Sequence, residues 1–308
     1  MANAASLEAR GYEPEDRRMA EMIADLAPQE GVSETRVPGV FVMRASHSQP
    51  RRPVVYTPSV VIVAQGRKIG YVGNAVHIYD RDHYLVLSVP IPFECEIALA
   101  TPRDPFLALK VAVDTVGLSE LMMDMHPTEQ GIPPVSAVCS SRLPHELHDA
   151  ALRLLTCLGS RQDSHILGRQ LVREILYRVL QSDQGISLRA LAGVGGNFGH
   201  IARALQRIHA DYASPLDVEG LAGTAGMSVS AFFQHFKTVT SSTPIQYIKS
   251  IRLHKARLLM AKAGHSAKAA SAAVGYASTS QFSREFKRFF GASPSEEAAK
   301  LRHLQLAE

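Results

Sequence analysis

Along this chain the apolar positions change their period once. From Val40 to about Val113 they come in short runs broken by proline and glycine: VFVMRA, SVVIVAQ, IGYVG, AVHIYD, HYLVLSV, ECEIALA and LALKVAV. Runs of this length at this spacing predict an antiparallel sandwich or barrel. Pro58, Gly66, Gly73-Asn74 and Pro90-Ile91-Pro92 mark its turns. One helix is predicted ahead of it, near Glu15 to Leu26, ended by Ala27-Pro28. After Pro144 the period becomes helical. Leu147, Ala151, Leu154 and Leu158 make one stripe; beyond Gly159, Leu167, Leu171, Ile175 and Val179 make a second. Two such helices joined by a short loop predict an antiparallel hairpin. The hairpin either packs on the β domain or joins two copies of the chain, in which case Leu147, Leu154, Leu158, Leu171 and Ile175 carry the contact.

The C-terminal third has its own organisation. In AASAAVGYASTSQFSREFKRFFGASP (269–294), Gly275 separates a small-residue helix from a more polar one. Ser278 is placed to cap the second helix, with Gln281 as the reciprocal partner of a capping box. Phe282, Phe286 and Phe289 recur at helical spacing and predict a buried face, leaving Thr279, Ser280, Ser283, Arg284 and Lys287 outside. Helix, tight turn and second helix with a polar-basic face is the build of a helix-turn-helix reader. Gly291 stops that helix, and Ser293-Pro294-Ser295-Glu296 starts another. The plan occurs twice. An offset of 50 takes Phe282, Phe286, Lys287, Ser293 and Pro294 to Phe232, Phe236, Lys237, Thr243 and Pro244. At the turn the offset is 49, because Gly226 answers Gly275. Two units in tandem are therefore predicted, joined by a helix from about Pro244 to Lys262, with Ser230, Phe233, Gln234 and Lys237 outermost in the first.

Composition narrows the function. Of 308 residues, 46% are apolar and 20% charged, as in a globular protein of two domains. No window approaches the roughly 18–20 apolar residues of a membrane span. The N-terminal stretch lacks a signal-peptide core, so a cytoplasmic location is expected. The net charge of +4 is unevenly divided. From Ile186 onward there are 15 Lys and Arg against 7 Asp and Glu, and before it 18 against 22. A basic half beside an acidic one fits one domain on nucleic acid and one off it.

Catalytic chemistry is not in evidence. Cys95, Cys139 and Cys157 are odd in number and far apart, which argues against a disulfide framework or a zinc cluster. His77 and His83 lack the spacing of a metal site. Ser46-His47-Ser48 has no nucleophile turn, and Gly193-Val194-Gly195-Gly196 reads as a flexible linker. No cofactor, metal or enzymatic activity is expected. On the run from Phe93 to Ala100, Cys95, Ile97 and Leu99 share the apolar face with Phe93. They are the candidate wall of a site for a small, largely apolar effector, with His83, Tyr84 and Cys95 as polar anchors.

LAGTAGMSVSAFFQHFK (221–237), YIKSIRLHKARLLM (247–260) and VGYASTSQFSREFKRFFGASP (274–294) resemble the AraC/XylS-type transcription regulators. PGVFVMRAS, VVIVAQGRK, YLVLSVPIPFECEIALATPRDPFLAL and REILYRVL are similar to one subgroup, whose N-terminal half is a cupin-like effector domain. The resemblance implies an α+β chain. Residues 1–142 form a cupin-like β-barrel, 143–182 a helical hairpin that dimerises, 183–199 a linker, and 200–308 an all-α domain with two helix-turn-helix units. By position, the family's base-reading residues fall on Ser230, Phe233 and Gln234, then on Ser280, Ser283 and Arg284. Implied partners are double-stranded promoter DNA, RNA polymerase, an unidentified small-molecule effector and a second copy of the chain. The alternatives are an effector-independent DNA-binding protein and a cupin enzyme fused to a DNA-binding domain. Two departures stand out: Ser241 occupies the place of Gly291, and the helix at 266–274 is almost all alanine and serine where the family often has larger aliphatics.

Overall fold

The computed structural model describes residues 14–125, 136–182, 185–192 and 196–299. Helix α1 (Pro14–Leu26) precedes the strands β1 (Gly31–Glu34), β2 (Val40–Ala45), β3 (Gln49–Tyr56), β4 (Ser59–Gln65), β5 (Arg67–Val72), β6 (Ala75–Asp80), β7 (His83–Leu87), β8 (Ile91–Leu99) and β9 (Phe106–Ala112). Helix α2 (Thr115–Asp124) and strand β10 (Val138–Arg142) follow. One antiparallel sheet runs β1-β2-β9-β4-β7-β10 and the other β3-β8-β5-β6. Among the described residues no ladder joins their edges, so this half is an open two-sheet sandwich and not the closed barrel expected.

The six-stranded sheet is covered on both faces. Val61, Val63, Leu85 and Phe106 point between the sheets, while Val60, Ile62, Tyr84 and Leu109 point the other way. The second set meets α1, α3 (His145–Leu158) and α4 (Arg161–Gln181). That double coverage explains why SVVIVAQ is apolar without alternation.

The hairpin is where expected, but its stripes serve this sheet. Leu147, Leu154, Leu158 and Ile175 are fully buried with Met19, Ile23 and Val60, and Leu171 is half-buried beside them. Leu147, Leu154, Leu158 and Ile175 are thus spent inside the chain, and of the five residues expected at a dimer contact only Leu171 keeps exposed surface. The stretch expected as a linker holds α5 (Gly185–Ala192), with Leu188 fully buried, while Gly193-Val194-Gly195 lies outside the described residues.

Then come α6 (Gly196–Asp211), α7 (Val218–Ala225), α8 (Val229–Thr240), α9 (Pro244–Lys262), α10 (Ala267–Ala273) and α11 (Thr279–Phe290); residues 294–299 are helical as well. The two units keep different cores. Ile201, Leu205, Leu221, Phe232, Phe236 and Tyr247 form a core continuous with Val89, Ile91 and Phe93 of the sandwich. Leu253, Met260, Ala270, Val274, Phe282 and Phe286 form a separate one. The small residues of α10 leave room there, which Tyr276, Phe289 and Phe290 fill from the side.

Candidate nucleic-acid interface and effector domain

Each unit builds its outer helix by the same local rules. In the first, Gly226 ends α7 in the left-handed region at φ 63°, and the Ser228 hydroxyl accepts the Ala231 N–H at 3.3 Å to start α8. With Phe232 and Phe236 buried, α8 turns Ser230, Gln234 and Lys237 to solvent. Phe233 joins them at 41% exposed, so it is not used up in packing against the other unit. In the second, Gly275 takes φ 83° and the Ser278 hydroxyl accepts the Gln281 N–H at 3.3 Å. The Gln281 amide does not return to the cap; it donates to Glu285 at 3.2 Å, so only half of the expected capping box forms. Phe282 and Phe286 are buried, Thr279, Ser280, Arg284 and Lys287 are exposed, and Ser283 is half-buried. Among the described residues Lys237, Arg284 and Lys287 enter no salt bridge.

Polar ties hold the second unit to α9, which starts with a complete capping box between Thr243 and Gln246 and Pro244 in its first turn. Glu285 accepts Lys249 Nζ at 2.8 Å and the Tyr276 hydroxyl at 2.8 Å. Burial works to raise its pKa, but hydrogen bonds from Lys249, Tyr276 and Gln281 outweigh that and hold the carboxyl below its ordinary value. Arg252 donates to the carbonyls of Tyr212 (2.7 Å) and Ser214 (2.9 Å), tying α9 to the loop after α6. Arg257 donates to Glu297 at 2.7 Å and so ties α9 to the last helical turn described. His254 lies under Phe289 and Phe290 at centroid distances of 5.3 and 5.2 Å; burial and Arg257 lower its pKa to about 3.

The sandwich and the helical half meet at Tyr247. Its hydroxyl donates to the Pro90 carbonyl and receives His209 Nε2 at 2.8 Å. The ring packs edge-on against Phe236, centroids 5.4 Å apart. A step away, the β5–β6 turn at Gly73 lies beside Ser241, so that a Cβ added to the glycine would come 3.0 Å from that of the serine; Ser241 caps α8 in the left-handed region at φ 55°.

The residues expected around an effector do not converge. Cys95 and Ile97 do point between the sheets, 2% and 7% exposed. Leu99 is 56% exposed, because the β5–β8 register slips between Arg67 and Lys68 and breaks the alternation at Ala98. Tyr84 points to the opposite face of its sheet, where its hydroxyl lies 2.8 Å from that of Ser182. His83 is at the surface, Nδ1 2.8 Å from Asp80. Among the described residues no group of His, Cys, Asp and Glu is arranged to hold a metal, and no helix is long and apolar enough to cross a membrane.

Sequence reasoning passed over what does converge. Lys68 is 5% exposed between the sheets, its ammonium donating to the Tyr56 hydroxyl. The pattern held a signal: Lys68, Gly70 and Val72 alternate onto one face of β5, with Lys68 on the apolar side. Lys110 likewise shares a face with Phe106 and Ala108.

Two families match. "AraC-type transcriptional regulator N-terminus" covers residues 36–187 and "Helix-turn-helix domain" covers residues 221–300. Among curated proteins, the RCS-specific HTH-type transcriptional activator RclR of Escherichia coli is 36% identical over 87 residues, 28% of this chain and 31% of RclR. The HTH-type transcriptional regulator AlkR of Acinetobacter baylyi is 36% identical over 94 residues, 30% of this chain and 31% of AlkR. The matched region thus spans about a third of those relatives' length. Among solved structures, a single-substitution variant of apo ToxT from Vibrio cholerae superposes with a TM-score of 0.59 at 13% identity, over 89% of this chain and all of that one. ToxT bound to an unsaturated fatty acid gives 0.56 at 13%, over 84% of this chain and 93% of that one. At that identity the likeness speaks for the fold.

Proposed function

Because the chain belongs to the AraC-type transcription regulators, we propose that it is a sequence-specific DNA-binding regulator whose N-terminal sandwich senses a small molecule. One observation carries this: a duplicated helix-turn-helix unit turns two polar-basic faces to solvent from the two ends of a single helix. That helix, α9, has 19 residues and at ~1.5 Å per residue spans roughly 28 Å. One turn of duplex is ~34 Å, so α8 and α11 suit successive major grooves on one face of promoter DNA.

On α8, Gln234 is suited to adenine, Phe233 to thymine methyl groups and Lys237 to a phosphate; Ser230 completes the face. On α11, Arg284 is suited to guanine, Lys287 to a phosphate, and Thr279, Ser280 and Ser283 to hydroxyl contacts along the groove. RNA polymerase and a second copy of the chain belong to the same proposal, as does a cytoplasmic site of action. An effector is supported by a sandwich too large to be needed for DNA binding alone, and by ToxT having been solved with a fatty acid bound.

The test is selection of a binding site from random duplexes, followed by titration of variants by fluorescence anisotropy. Arg284→Ala costs ~1–3 kcal/mol and relaxes preference at one or two base pairs; Lys287→Ala lowers the salt slope by about one. Wild-type affinity in Arg284→Ala, with the selected preference intact, removes α11 from the groove.

A further inference from the structure

The space between the sheets holds positive charge that no carboxylate among its described neighbours balances. Lys68 comes from the four-stranded sheet, and its Nζ lies 5.1 Å from the centre of the Tyr56 ring and 5.7 Å from that of Phe106. Lys110 comes from the opposite sheet, 5.7 Å from the same Tyr56 ring and 5.2 Å from Phe41. Two ammonium groups thus converge on one tyrosine from two sides. The groups acting on them are Tyr56, Cys95 and Arg52 for Lys68, and Lys68 itself for Lys110. Deeper in, the Tyr79 hydroxyl is fully buried, with the Tyr56 hydroxyl as its polar neighbour but no hydrogen bond of full geometry.

A structural role accounts for Lys68 beside Tyr56 but not for the second ammonium. Burial works against the Lys68 charge, yet the Tyr56 hydroxyl outweighs it and holds the pKa above its ordinary value, whereas Lys110 has no such partner among the described residues and is pushed down by burial and by Lys68. A second ammonium nearby adds repulsion, and an apolar side chain of similar length would serve stability better. An anion reverses the balance, because one carboxylate set between the two lysines cancels one of the two charges, screens their repulsion and offers the Tyr79 O–H a stronger acceptor than a phenol. The buried side chains on the same side of the two sheets are apolar: Phe93, Phe106, Ile97 and Cys95. Phe41, Tyr56 and Lys110 are only half-buried, which puts the approach at that end of the sandwich.

We propose that this interior is the effector site, and that the effector is a small organic carboxylate with an apolar body, its carboxylate held between Lys68 and Lys110 and accepting from Tyr79. The site adjoins the contact with the helical half. Tyr56 pairs with Ile91 in the β3–β8 ladder, and the next residue back, Pro90, supplies the carbonyl bound by Tyr247. The inference builds on the regulator function only for its consequence at DNA; carboxylate binding stands or falls without DNA.

The experiment titrates full-length protein calorimetrically with octanoate and benzoate, each against a neutral match of similar shape, octanamide and benzamide. The carboxylates bind and raise the melting temperature, and the amides bind roughly tenfold or more weakly. Lys68→Met loses the preference. Lys110→Met, at a half-buried position, weakens the carboxylates selectively and decides the matter if Lys68→Met does not fold. Its ligand-free form melts no lower than the parent, a result a merely structural lysine would not give. Absence of carboxylate binding, equal binding of amides, or unchanged octanoate affinity in a folded lysine variant overturns the proposal. Gel shift on the same preparations separates the two claims: carboxylate binding without DNA binding sinks the regulator function alone, and the converse sinks this site alone.

Discussion

Replacing Gly275 with alanine forces the second unit to move, whereas the same change at Gly226 does not. Both glycines sit at the corresponding turn of their unit, and both take left-handed backbone, φ 83° and φ 63°. An alanine there costs about 1–2 kcal/mol at either site. The surroundings differ. A Cβ on Gly226 would meet only His200, at an ordinary 3.6 Å. On Gly275 it would lie 2.2 Å from the Ala213 carbonyl oxygen and 2.9 Å from the carbonyl carbon, which are backbone atoms that no rotamer change removes. The loop after α6 would have to shift, straining the hold of Arg252 on Tyr212 and Ser214. Overpacking of this kind adds about 1–3 kcal/mol. Gly226→Ala is therefore expected to lose about 1–2 kcal/mol and Gly275→Ala about 2–5 kcal/mol. Urea titrations followed by circular dichroism measure both. Equal losses, within about 0.5 kcal/mol, would show that backbone conformation alone fixes the two turns and that the approach of Ala213 adds nothing.

Three further outcomes follow from the same geometry. Ser241→Gly relieves a non-glycine residue at φ 55° and should stabilise the protein by about 1 kcal/mol, read as a higher urea midpoint; a loss would mean that packing of the serine beside Gly73 outweighs the strain. His254 and His209 are held neutral, with pKa values lowered to about 3 and about 4. Since the unfolded chain takes up those protons first, stability is full above pH ~6.5 and falls below it by up to about 1.4 kcal/mol per pH unit for each histidine, down to the folded pKa. His254→Phe should flatten that slope, and an unchanged pH profile of the urea midpoint would refute the assignment. Leu154→Asp places a charge in a filled core and should unfold the N-terminal half, by circular dichroism, instead of yielding a folded monomer.

What could be read in advance depended on how many surfaces each element meets. The helix-turn-helix units were legible because α8 and α11 each bury one face and expose the other, so phenylalanine spacing and cap residues sufficed. The central strands were legible as continuous apolar runs. The strands passed over, β1, β3 and β10, are all sheet edges. Edges carry proline, arginine and serine because one side of their ladder is unpaired, and QPRRPVVY therefore does not look like a strand. Tyr84 was misplaced for the opposite reason: with both faces of its sheet covered, alternation shows that two faces exist and not which one faces the other sheet. The hairpin leucines show the same limit, since a stripe declares burial without naming its partner. Lys68 was missed because a single lysine reads as surface until its neighbours in the ladder are known.

The unequal cores bear on how such a chain can be cut or recombined. The second reading unit keeps its core apart from the sandwich, so in engineering it is the exchangeable cassette, open to grafting if α10 and α11 travel with the α9 residues Leu253, Ala256 and Met260 that complete that core. The first unit borrows its core from the sandwich across Tyr247. Cleaving the chain near Gly193 would leave Tyr247 and Ile248 facing water on the fragment that keeps the DNA-reading helices. A stand-alone reader made from this protein would therefore aggregate unless that seam were first resurfaced.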